Sequence, residues 1–170
     1  MYNFQTREAL KRGEQDHTTA AEVSVMLYFT PAFRMAVSDP IYHIRRQVAF
    51  ANLVLSKSEI PVKLYIYCIE ELVGFVESSD GLERIYDFQD AKKNLLNTAD
   101  MAILMTGTPT DKSVGLAWLG PPIKYGTLPI AWVYPEDPLT FLHELGHIFG
   151  CLHNREEQEQ GPNSIGNNLA

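Results

Sequence analysis

Residues 143 to 153 read HELGHIFGCLH and hold three of the five histidines in the chain. Residues three or four apart on a helix share a face, so His143 and His147 lie one turn apart and turn their imidazoles the same way. Zinc takes histidine nitrogen at about 2.0–2.1 Å, and a catalytic zinc uses three protein ligands plus a water. A third ligand is required. Gly150 tolerates positive φ, so the helix can stop there and the chain can swing back to bring His153 to the same ion. Glu144, beside the first ligand, is placed to contact the water rather than the metal. These residue types in this pattern suit amide hydrolysis by a zinc-activated water, with Glu144 as the general base that takes a proton and returns it to the leaving amine.

The bland alternative is an ordinary helical turn with surface histidines, and it does not account for Gly150 and His153 both falling where a three-histidine site needs them. A second alternative supplies the third ligand from Glu156, Glu157 or Glu159. That arrangement usually draws its glutamate from a separate later helix, so His153 is preferred. Cys151 could bridge, bind metal or pack as a small hydrophobe, and packing is expected. His17 lies in a polar leader and His43 beside Arg45 and Arg46, and both are read as solvated residues without a metal role.

The elements that must position this motif follow from periodicity. DPLTFLHELGHIFG opens with Asp137 as a cap and Pro138 at the first turn, which predicts a helix ending near Gly150. Upstream, VSVMLYF (23–29) reads as a buried strand, and Asp39 and Pro40 open a helix with Ile41, Ile44, Val48, Ala51 and Leu55 on one face. VKLYIYCI (62–69) predicts a strand with Leu64, Ile66 and Cys68 on one face. Residues 81–96 read as a partly amphipathic helix and ADMAILMTG (99–107) as a buried strand, with two short strands at GLAWLG (115–120) and LPIAWVY (128–134). The order is β, α, β, α, β, β, β, α, an α/β or α+β fold with a mixed sheet carrying helices.

At 170 residues with 45% hydrophobic and 21% charged residues, the chain suits one globular domain with a real core. A net charge of −7 opposes binding to nucleic acid. No apolar stretch reaches the roughly 20 residues of a bilayer span. The first residues lack the apolar core of a signal peptide. Two cysteines, Cys68 and Cys151, leave the redox compartment open.

HELGHIFGCLH resembles the metzincin zinc-metallopeptidase signature HExxHxxGxxH. The rest of the chain is similar to reprolysin or adamalysin-type metzincins. HIRRQVAFANLVLSKSEIPVKLYIY resembles their first helix and second strand, ADMAILMTG their third strand and GLAWLG their fourth. The resemblance implies a twisted five-stranded sheet with one antiparallel edge strand over residues 22–155, and composition marks a polar leader over 1–21 and a polar tail over 156–170. It implies zinc held by His143, His147 and His153, Glu144 as catalytic base, and a peptide or protein substrate lying along Gly115, Leu116, Ala117, Trp118 and Leu119 as an added strand. It also implies an extracellular, monomeric peptidase. Asn52 resembles an asparagine of the family's first helix and is read as a structural hydrogen-bonding residue.

Three features depart from the pattern. Met1, Met26, Met35, Met101 and Met105 all precede the motif, so the methionine turn that names the family is missing from these residues. Asn154 stands where reprolysins usually carry aspartate. The polar tail reads as the start of an incomplete C-terminal subdomain, and an incomplete chain is the preferred explanation over a replaced turn or a degenerate member. An inactive module that binds zinc and peptides is the functional alternative.

Overall fold

A computed structural model describes residues 20–92, 99–110, 112–118 and 129–153. Its elements run β1 (Ala21–Phe29), α1 (Pro31–Ala36), α2 (Pro40–Lys57), β2 (Val62–Glu71), α3 (Gly81–Lys92), β3 (Met101–Met105), β4 (Gly115–Ala117), β5 (Ile130–Val133) and α4 (Pro138–Ile148). The strands form one five-stranded sheet in the order β2-β1-β3-β5-β4. All neighbouring pairs are parallel except β4 and β5, which run antiparallel. This is the mixed α/β architecture that the sequence pattern predicts, with the reversed edge strand that the family resemblance implies.

The central strands are buried on both faces, as a parallel sheet between helical layers requires. One face packs α2 (Ile44, Val48, Ala51, Leu55) and α4 (Phe141, Leu145, Ile148) against Val25, Leu27, Ile103 and Val133. The other packs Ile85 and Phe88 of α3 against Tyr28, Leu104, Leu116 and Trp132. Alternation along each strand sends successive side chains to opposite layers.

Side-chain caps set where the helices begin. Asp39 Oδ1 accepts from Tyr42 N at 2.9 Å, and Pro40 follows at the first turn. Asp137 Oδ1 accepts from Leu139 N at 2.8 Å, ahead of Pro138. The same device builds α1, where Thr30 Oγ1 accepts from Phe33 N at 3.0 Å. That short helix is absent from the sequence reading because its six residues are too few for a helical period to stand out.

Two expectations about side-chain direction need correction. Met26 pairs with Cys68 although Val25 pairs with Ile66, so Tyr67 is an extra residue in β2. This bulge flips the pleat. Leu64 and Ile66 face the α2 layer, whereas Cys68 packs on the α3 side. On α2, Gln47 is buried while Ile41 is exposed. The predicted helix over 81–96 is described to Lys92, and residues 93–98 lie outside the described residues.

Polar anchors hold the loops at the C-terminal end of the strands, where the chain turns toward the site. Glu77 accepts from Gly107 N at 2.7 Å and Thr108 N at 2.9 Å, and also from the hydroxyl groups of Thr30 and Thr108. Arg84, fully buried, donates to Thr108 O at 2.7 Å and Ser78 O at 3.0 Å and lies over the Trp132 ring at 4.5 Å. Asn52 donates to Leu64 O at 2.9 Å and accepts from Leu64 N at 2.8 Å, the structural role expected of it.

Candidate active site

Helix α4 lies beneath β4 and β5 and carries His143, Glu144 and His147. It ends in a left-handed turn. Gly150 has φ 90°, its N–H donates to His147 O at 2.9 Å, and Cys151 N donates to Gly146 O at 2.9 Å. This pair of bonds satisfies the last carbonyls of the helix and reverses the chain, which only a residue without a Cβ does at little strain. The bend returns His153 to the helix face.

The three Nε2 atoms form a nearly equilateral triangle. His143 and His147 are 2.9 Å apart, His147 and His153 3.0 Å, and His143 and His153 3.1 Å. His147 Nδ1 lies 2.8 Å from Cys151 O, so that nitrogen carries the proton and Nε2 presents its lone pair to the triangle. Three ring nitrogens at this spacing can share a single cation.

Glu144 is 4% exposed, and its Oε2 has no hydrogen-bond partner among the described residues. Burial in this apolar setting pushes its carboxyl up to about 8. A buried polar atom without a partner beside converging ligands marks a group set up for chemistry rather than for stability.

Strand β4 forms the edge of the sheet above α4. Tyr134 N donates to Val114 O and Trp118 N donates to Ile130 O, which fixes the alternation of the antiparallel ladder. Val114, Leu116 and Trp118 therefore turn their backbone groups toward β5. Gly115 and Ala117 turn theirs to the outer edge.

The sequence family described as Reprolysin_5, metallo-peptidase family M12, matches residues 21–168. The chain belongs to the M12 metallopeptidase family. A solved structure described as "Structure of a chaperone-substrate complex" is similar to this M12 chain in fold, with a TM-score of 0.62 and 19% identity over 80% of this chain and 24% of that one. The M12 chain thus spans about a quarter of that chain's length. No curated protein matches it.

The residues of this M12-family chain fit a metal ion. Ligands at about 2.0–2.1 Å from one tetrahedral ion sit roughly 3.3 Å apart, and the histidine triangle comes within a few tenths of an ångström of that. His143, His147 and His153 are brought together, with Glu144 on the same helix and Gly150 at the bend. The Glu156, Glu157 and Glu159 alternative lies outside the described residues, as do Leu119, His17 and Asn154.

Three further placements refine the sequence reading. Leu116 is 3% exposed, with its side chain in the core, so it meets nothing at the sheet edge. Trp118 is half-buried; its Nε1 donates to Gln89 Oε1 at 3.1 Å, and its ring tilts against Tyr86 at 5.3 Å, an aromatic pair at the end of β4. Gln89 and Tyr86 carry no sequence signal for this role, since neither belongs to a motif. Cys151 is exposed rather than packed, because the reversal at Gly150 throws its side chain outward while its carbonyl faces His147. His43 is half-buried rather than fully solvated: it stacks edge-on against Phe33 at 5.6 Å, and burial pushes its imidazole down.

Proposed function

We propose that this chain is a zinc-dependent endopeptidase in which His143, His147 and His153 hold the metal and Glu144 is the general base. The observation that carries the proposal is the Nε2 triangle, 2.9 to 3.1 Å on a side, built on the same helix as a buried, unpartnered carboxylate. Zinc, when bound, supplies Lewis acidity and lowers the pKa of bound water.

The chain's own residues do the rest. His147 is held in the Nδ1–H tautomer by Cys151 O, which keeps Nε2 available as a ligand. The Gly150 bend fixes the approach of His153. Glu144 ionises to accept a proton at its carboxylate and, once protonated, donates it to the departing amine.

An extended peptide pairs with the outward N–H and C=O groups of Gly115 and Ala117 as an added strand, which aligns its backbone above α4. Trp118 borders the path through its side chain only. The natural substrate is a peptide or protein, and the enzyme works as a monomer. Placement outside the cell belongs to the same proposal and rests on the family likeness alone.

The test is zinc content by mass spectrometry together with cleavage of a quenched peptide library, with and without chelator. Cleavage that needs zinc and is lost in Glu144→Gln is expected. Zinc-loaded protein that cleaves nothing, or cleavage that Glu144→Gln leaves untouched, overturns the reading.

A further inference from the structure

Gly115 enters the proposed reaction through its backbone, yet the space where its side chain would stand has a second meaning. A Cβ built at Gly115 falls 2.5 Å from Glu144 Oε1 and 2.8 Å from both Glu144 Cδ and Cγ. Carbon atoms do not approach so closely without repulsion. Rotating only the carboxylate would not relieve the clash, because the Cγ methylene is crowded as well. The side chain would have to leave its rotamer as a whole.

Little room exists for such a move. Glu144 is 4% exposed and Oε2 is enclosed. Its helix is pinned by the Asp137 cap at one end and the Gly150 turn at the other, with Phe141, Leu145 and Ile148 buried in the core between them. Ala117, two residues along on the same face of β4, does carry a Cβ and packs in that core. The missing side chain at 115 is therefore specific to the point where Glu144 passes under the strand. No φ in the left-handed range makes glycine necessary there.

We infer that Gly115 is a positioning residue for the general base: its bare Cα forms the seat that holds Glu144 directly beneath the edge to which substrate binds. The inference rests on the peptidase reading for its catalytic meaning, but the seat itself is a property of the folded chain. One residue thereby joins two tasks, turning its N–H and C=O to the substrate and its vacant Cβ position to the base. Any side chain at 115 displaces the carboxylate while leaving the backbone groups in place.

The test is a double-mutant cycle of Gly115→Ala with Glu144→Ala, read in two ways. In the metal-free protein, Gly115→Ala is expected to lower Tm by roughly 3–10 °C when Glu144 is present, the usual effect of overpacking, and by no more than about 1 °C in the Glu144→Ala background. An equal fall in both backgrounds overturns the seat. If Gly115→Ala alone yields no folded protein, recovery of folding in the double variant supports the inference, and failure of both refutes it.

In the zinc-loaded protein, Gly115→Ala is expected to lower kcat on a quenched peptide by about 10²-fold, as for a base misplaced by about an ångström, with KM and zinc content within about twofold of the parent. A raised KM with unchanged kcat shows that only backbone pairing matters, and overturns the positioning role. A parent protein that cleaves no peptide defeats the peptidase reading, while the Tm cycle still decides whether Gly115 seats Glu144.

Discussion

Replacing Glu144 by glutamine in the metal-free protein should change how stability depends on pH. The carboxyl ordinarily titrates at 4.5, its value when unfolded, and burial raises it to about 8 in the folded chain. Between those two values the folded state keeps a proton that the unfolded state has lost. Stability supplied by the protonated form is thus full below about pH 4.5 and is lost progressively as pH rises toward 8. At pH 7 the unfolded carboxyl lies about 2.5 pH units past its midpoint, so the loss is about 3 kcal/mol at 1.36 kcal/mol per unit. The neutral amide of Glu144→Gln has nothing to titrate.

The assay is urea denaturation of the chelated parent and of Glu144→Gln at half-unit steps from pH 4.5 to 8.5, with the difference between the two curves as the readout. Taking the difference removes the contribution of the three imidazoles, which both proteins share. The variant should gain about 3 kcal/mol on the parent between pH 5 and 8. Parallel curves across that window would refute the reasoning, because they would mean that the folded chain ionises Glu144 as readily as the unfolded one.

Gly150→Ala should destabilise the chain by about 1–2 kcal/mol through its left-handed backbone, and weaken zinc binding at least roughly tenfold by moving His153; calorimetric titration with zinc checks this, and unchanged affinity contradicts it. Arg84→Met leaves Glu77 buried without its cation and should cost about 3–5 kcal/mol in urea denaturation. Asn52→Ala strips Leu64 of two hydrogen bonds and should cost about 1–3 kcal/mol, with zinc content unaffected because its amide is bound to β2, at the opposite border of the sheet from β4.

The parts of the molecule legible in the sequence share one property: each depends on local spacing. The metal-ligand pattern, the caps at Asp39 and Asp137 and the apolar run of β3 all lie within windows of a few residues, where helical or strand periodicity acts directly. The reversed strand β4 was legible only through family likeness, since three residues carry no direction of their own. What escaped depends on partners far along the chain. Tyr67 bulges because the pairing of β2 with β1 shifts register around it, and Arg84 is held partly by Thr106 and Thr108, more than 20 residues away. The clash that a side chain at Gly115 would cause involves a residue 29 positions away, and the glycine looks ordinary until the sheet and helix meet.

The two borders of the sheet treat a visiting chain differently. At β2 the amide of Asn52 already fills both backbone positions of Leu64, so a guest strand finds that stretch occupied. At β4 the corresponding groups of Gly115 and Ala117 turn away from β5 and are not taken up by the ladder. Exposed strand borders invite indiscriminate self-association. A molecule that leaves one border open gains by closing the opposite one, and the small amide of Asn52 confines strand addition to the β4 side.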